Sequence, residues 1–133
     1  MRDVVTAVLK RGDKILLVKR GVLVNTFKEK WSCISGRMES TPLESVLKEI
    51  YEETGLSSNQ VTLVKEGKVL QARGEHIQFR VHPFLFEVNC SEIRLNWENT
   101  EYRWVHPEEI GTYETVPRLR ETIESVLNEW DLT

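Results

Sequence analysis

The sequence predicts an α/β sandwich, and three observations carry that reading. Strand-like and helix-like runs interleave along the chain, without internal repeat, low-complexity segment or linker. Apolar residues make up 40% and charged residues 29%, a globular balance. At 133 residues the expectation is one domain spanning residues 1–133, large enough to bury a core without staples.

Val4 to Leu9 and Lys14 to Arg20 are β-branched and aliphatic runs around Arg11-Gly12-Asp13, which predicts a hairpin with a tight turn. Gly21 to Lys30 is polar and irregular and reads as a loop. Trp31 to Ile34 then forms a short strand leading into Ser35-Gly36. The next helix is the best-defined element. Thr41 is placed as N-cap, Pro42 at the first helical position, and Glu44 completes a capping box. Leu43, Val46, Leu47 and Ile50 recur at helical spacing and predict one apolar stripe. Gly55 is placed to end the helix in a left-handed turn, with Leu56 packing back.

Val61 to Ala72 and His76 to Val88 read as two long strands around Arg73-Gly74. Apolar parity changes from Ile77, Phe79 and Val81 to Phe84, Phe86 and Val88, which predicts a bulge at His82-Pro83. Glu101 to His106 is a further strand, with Tyr102 and Trp104 on one face. Pro107 to Ile110 is a helical turn. Pro117 to Trp130 closes the chain as an amphipathic helix through Leu119, Ile123, Val126, Leu127 and Trp130.

The chemistry-bearing stretch is Gly36-Arg-Met-Glu39 followed by Lys48-Glu49-Ile-Tyr-Glu52-Glu53-Thr-Gly55-Leu56. At about 100° per residue, Glu49, Glu52 and Glu53 share a face about a third of a turn from the apolar stripe. Taken alone, such spacing describes a solvated acidic helix face. The glycine loop, the capped helix start and the glycine stop around it favour a cleft instead. Carboxylates at i, i+3 and i+4 are neighbours and suit Mg²⁺ or Mn²⁺. Mg²⁺ uses one or two carboxylates and shares its remaining shell with waters and phosphate, so a phosphate-bearing substrate fits better than a caged ion.

A net charge of -3 argues against binding nucleic acid through bulk electrostatics. Cys33 and Cys90 form no CxxC pair, which makes a zinc site and a disulfide framework poor readings. No apolar run approaches the ~20 residues that span a bilayer. With Met1-Arg2-Asp3 entering a strand pattern directly, a cytoplasmic protein without a membrane role is expected.

Glu49 to Leu56 resembles the second half of the Nudix hydrolase box, G-x5-E-x7-R-E-U-x-E-E-x-G-U with U bulky and aliphatic, at every specified position. Gly36 and Glu39 look like its opening. Lys14 to Arg20 resembles the family's second strand, and Asn96 to Val105 the strand that returns near the metal. Gly36 to Lys48 is two residues shorter than the box, Ser40 and Lys48 stand in place of an acid and an arginine, and Ser35 stands where many members have glycine. The resemblance implies a Nudix-like α/β/α sandwich with a mixed central sheet. It also implies metal-dependent hydrolysis of a nucleoside diphosphate linked to another moiety, with water attacking phosphorus.

Carried over residue by residue, Glu49 is a base or shared ligand, and Glu52 and Glu53 are the core metal ligands. Glu98 and the Ser35 carbonyl are further ligand candidates, and Lys48 holds the glutamates. Arg20 and Arg37 are better placed for phosphate than Lys28 and Lys30. Trp31 and Trp104 are read as packing residues, Trp97 as lying near the cleft mouth, and Cys33 as a buried structural thiol. A small nucleotide or nucleoside diphosphate derivative is the expected partner, and pairing into a homodimer is common among such proteins. The alternative is a non-catalytic Nudix-like module that binds a nucleotide or a protein.

Overall fold

The computed structural model describes residues 1–74 and 76–127. Its centre is an eight-stranded mixed sheet with few helices. The predicted hairpin forms from β1 (Arg2–Arg11) and β2 (Lys14–Arg20), turning at Gly12 with a φ of 64°. The hairpin pairs only at its tip, Lys10 with Ile15 and Arg11 with Lys14. Below the tip β2 leaves β1, and β4 (Ile34–Arg37) takes its place against Val4 to Ala7. β3 (Trp31–Ser32) pairs with β2 instead, so the expected single strand at Trp31 to Ile34 is two strands on different partners. On its other side β1 runs parallel to β7 (Gln78–Val88).

α1 (Pro42–Thr54) follows its signals at both ends. Thr41 Oγ1 accepts the Glu44 N–H at 3.2 Å, and Gly55, at φ 77°, donates its N–H to the Tyr51 carbonyl. The Glu44 carboxylate accepts the Ser40 hydroxyl at 2.9 Å, so this side chain engages the residue before the cap. Val46 and Ile50 are fully buried and Leu47 packs beside them, whereas Leu43 is 42% exposed. The buried stripe therefore begins one turn later than its spacing suggests.

The expected long strand from Val61 to Ala72 is broken into β5 (Val61–Glu66) and β6 (Leu70–Arg73), both paired with β7. Gly67 marks the break. A Cβ there would stand 2.7 Å from Val126 Cγ1, and the Gly67 N–H donates to the Pro83 carbonyl at 2.8 Å. β7 has no bulge at His82-Pro83. It passes that point in unbroken register with β1, Thr6 opposite Pro83 and Ala7 opposite Phe84. The irregularity lies in its partner β5, between Leu63 and Lys65. The parity change instead marks a central strand buried on both faces.

Phe84, Phe86 and Val88 join Val46 and Ile50 in the core beneath α1, and Leu85 joins the second core beneath α2 (Leu119–Val126). α2 starts after Arg118, which adopts a left-handed φ of 61°, so Pro117 lies outside the helix. Trp130 lies outside the described residues. β8 (Asn99–Val105) pairs with β2, and a 3-10 helix at Pro107–Thr112 continues the predicted turn. Trp104 packs against the first core, and Trp31 is buried edge-on to Tyr113 at 5.1 Å. Among the described residues no helix is long and apolar enough to cross a membrane.

Phe84 is fully buried, so Phe84→Ala is expected to cost about 3–5 kcal/mol in a urea titration. Leu43→Ala should fall within about 0.5 kcal/mol of the parent, because that side chain remains largely in solvent.

Candidate active site

The site is assembled where β4, α1 and the start of β8 meet. Gly36 on β4 faces α1 so closely that a Cβ would stand 2.1 Å from Glu49 Cδ. Only glycine lets the Glu49 carboxylate lie flat against this strand. One turn further along α1, Glu53 is buried with 2% of its surface exposed. Glu98 arrives from the segment before β8. Oxygens of Glu49, Glu53 and Glu98 all lie within 4.8 Å of one another.

Glu53 is held from the far side. Asn99 Nδ2 donates to its Oε1 at 2.9 Å within the core. Its Oε2 is buried and receives no hydrogen bond. Glu98 is steered by Asn96, whose Nδ2 donates to Glu98 Oε1 at 3.2 Å and whose Oδ1 accepts the Glu98 N–H at 3.1 Å. Asn96 and Asn99 were not singled out by the sequence. Their only signal was polar spacing around Glu98 on the returning strand.

Crowding acids away from water shifts their ionisation. Burial pushes the Glu49 carboxyl up to about 7, and the charges of Glu52 and Glu98 add to it, against a hydrogen bond with Glu53 and the charge of Lys48. Burial also holds Glu53 well above the ordinary carboxylate range, with Glu98 adding to it and Asn99 opposing. A cluster of hard oxygens that resists its own negative charge, with one oxygen left unpartnered, fits a hard divalent cation.

Glu52 stands at the margin. It is absent from the group that converges within 4.8 Å, and its carboxylate lies 3.9 Å from Lys48 Nζ on the exposed side of α1. Lys48 Nζ also reaches Glu39 at 3.5 Å. Arg20 is anchored by the loop that follows it, with Nε donating to the Thr26 carbonyl at 2.9 Å and Nη2 to Thr26 Oγ1 at 3.2 Å. Burial lowers its pKa, while the nearby charges of Glu53 and Glu98 oppose the shift.

Arg20, Arg37, Ser35, Gly36 and Glu98 all line one cavity of about 190 Å³. Arg2, Arg73, Phe27 and Phe79 line it too, and none was singled out individually from the sequence, since they come from four separate segments. Lys30 is engaged elsewhere, 3.3 Å from Glu114. Trp97 is 64% exposed beside Glu98, and Cys33 is buried, its thiol pushed up to about 12.

Known structures share this architecture. A C. elegans Ap4A hydrolase binary complex superposes with a TM-score of 0.81 at 15% identity, covering 94% of this chain and 94% of that one. The MutT protein of Methanosarcina mazei Go1 gives 0.76 at 23% identity, covering 92% and 90%. The NUDIX domain of Shewanella oneidensis NrtR, complexed with ADP ribose, gives 0.75 at 16% identity, covering 94% and 85%. At these identities the likeness is one of fold, that of MutT and Nudix hydrolases. No curated protein matches the chain. Residues 1–126 match the NUDIX domain, and the chain belongs to that family.

Two outcomes test this site. Gly36→Ala is expected to push the flexible Glu49 carboxylate aside without unfolding the strand, giving about a 10²-fold loss of turnover at a near-parental melting temperature. In the metal-free protein, acids with folded pKa values above 4.5 keep protons that the unfolded chain has released. Stability should therefore fall as pH rises from 4.5 through about 7, and Glu49→Gln should flatten that fall in melting curves.

Proposed function

We propose that this protein is a divalent-metal-dependent nucleotide pyrophosphohydrolase. Its substrate is a nucleoside diphosphate linked to another group, and water attacks phosphorus. Family membership supports a hydrolase in general. The observation that carries the finer reading is the convergence of Glu49, Glu53 and Glu98 at one end of a cavity lined by arginines.

In this reading Glu53 and Glu98 hold Mg²⁺ or Mn²⁺, with Glu49 shared and the Ser35 carbonyl completing the protein's contribution. When bound, the cation polarises a phosphoryl oxygen and makes water a stronger nucleophile. Glu49 and Glu98 are both half-buried where Glu53 is fully buried, and burial holds the Glu49 carboxyl near neutrality, up to about 7. Glu49 takes the proton of the attacking water on a carboxylate oxygen. Asn99 and Asn96 fix the directions of Glu53 and Glu98, so these groups need little reorganisation during reaction. Arg20 offsets the acidic charge through its field and, with Arg37, receives phosphate oxygens. Glu52 serves from the margin, and Lys48 restrains it.

Addition of Mg²⁺ or Mn²⁺ should raise the melting temperature with concentration, by mass action. Glu53→Gln combined with Glu98→Gln should remove the rise. Nucleoside triphosphates, dinucleoside polyphosphates and nucleotide sugars should then be assayed for metal-dependent release of phosphate or pyrophosphate. A metal-induced stabilisation without turnover on any of them makes the protein a nucleotide-binding module instead.

A further inference from the structure

We propose that the substrate is selected by a chain of three or more phosphates and hardly at all by the identity of its base. This rests on the nucleotide reading above and narrows it. The cavity has two unlike parts. Its acidic end is the glutamate cluster, represented in the lining by Glu98. The same cavity is lined by Arg37 next to Gly36 on β4, and by Arg2 and Arg73 on β1 and β6. None of the three has a carboxylate partner among the described residues, while Arg80 is paired with Asp3 at 3.0 Å and Arg118 with Glu121 at 3.1 Å. Arg2 instead lies against a ring, its Cζ 6.0 Å from the Phe79 centroid.

Arg37 and Arg73 are exposed and Arg2 is half-buried, so in a chain of net charge -3 their grouping on one cavity makes a local positive patch open to an entering anion. A scissile diphosphate at the acidic end, with Arg20 beside it, does not need all of them. Their convergence suits additional phosphate oxygens, which guanidinium forks hold in bidentate fashion. A neutral sugar in the same place would make no charge-assisted hydrogen bonds with them.

The remaining wall has no fixed pattern for reading a base edge. Among the described lining residues there is no Asn, Gln or Asp, and the one carboxylate is Glu98. Apart from the arginines taken up by phosphate, the polar side chains left are hydroxyls of Ser and Thr, each able to donate or accept, so they suit any base and reject none. Half-buried Phe27, its ring centroid 6.0 Å from that of the buried Phe79, supplies an apolar surface that packs purines and pyrimidines alike.

Binding separates this inference from the hydrolase reading. Glu49→Gln with Glu53→Gln removes both turnover and the repulsion of incoming phosphate, and the amide oxygen introduced at position 53 can still accept from Asn99. Calorimetric titration of that protein with ATP, GTP, CTP and UTP should give Kd values within tenfold of one another. UDP-glucose and AMP should bind at least tenfold more weakly. Arg2→Gln with Arg73→Gln, added to this background, should weaken the triphosphates at least tenfold and erase their advantage. One base bound a hundredfold tighter than the others overturns the proposal, as does UDP-glucose bound as tightly as UTP. If the doubly substituted protein is unfolded by circular dichroism, Glu53→Gln alone is titrated against the same criteria. Lack of turnover in the parent protein counts against the hydrolase reading and leaves this one to be judged on the Kd values.

Discussion

A carboxylate buried in the core, that of Glu53, is the constraint around which the rest of the structure is arranged. One of its oxygens is held by Asn99 and the other receives nothing. Burial and the neighbouring acids hold this group well above the ordinary carboxylate range, so its ionised form is costly here and folding alone gives no return for that cost. The surrounding chain contains that cost. Gly36 lacks the Cβ that would evict Glu49 from its neighbour's side, and Asn96 steers Glu98 toward the pair. β1 exchanges β2 for β4 along its length, and this exchange brings the glycine strand under α1. Site and fold share one piece of geometry.

The charges at this end of the molecule are opposed in kind. Three glutamates converge beside a cavity lined by four arginines, and one of these, Arg20, is tied to Thr26 yet lies within the fields of Glu53 and Glu98. Separated charge of this sort suits a ligand that is itself divided, with a cation at one end and phosphate oxygens along its length. The acids and arginines do not neutralise each other directly, since no salt bridge among the described residues joins Arg20 or Arg37 to the cluster. The field of the cavity stays available to whatever enters.

Local signals were legible wherever one segment decides its own conformation. The Thr41 cap, the Gly55 stop, the first hairpin and the 3-10 turn all form as their sequences indicate. Failures came where a distant neighbour decides. Gly67 interrupts a strand because Val126 and Pro83 press on it, and the parity of β7 reports burial on two faces. The same division holds in the site. Glu49, Glu53 and Glu98 could be found from short motifs, but helical spacing gave Glu52 equal standing with Glu53. Packing of α1 against the sheet turns Glu53 inward and leaves Glu52 beside Lys48 in solvent. Arg2, Arg73, Phe27 and Phe79 meet only after the sheet forms, and no local pattern announces them.

The departures from the family box are physically linked. Shortening the path from β4 to α1 leaves only Met38 to Thr41 as connection, and these residues are fully engaged. Met38 donates its N–H to the Asp3 carbonyl, the Ser40 N–H reaches Ser45 Oγ, and the Ser40 hydroxyl reaches Glu44. In this short turn Glu39 comes within 3.5 Å of Lys48, which also faces Glu52 at 3.9 Å. Each contact is a single oxygen against an ammonium in open solvent. Such pairs contribute about 0–1 kcal/mol, and a point charge on a flexible stem serves them as well as a guanidinium fork. An arginine is needed where two oxygens of one carboxylate must be gripped in the interior. Here the inward carboxylate of Glu53 takes its one hydrogen bond from Asn99, and Lys48 reaches only the outward acids Glu39 and Glu52.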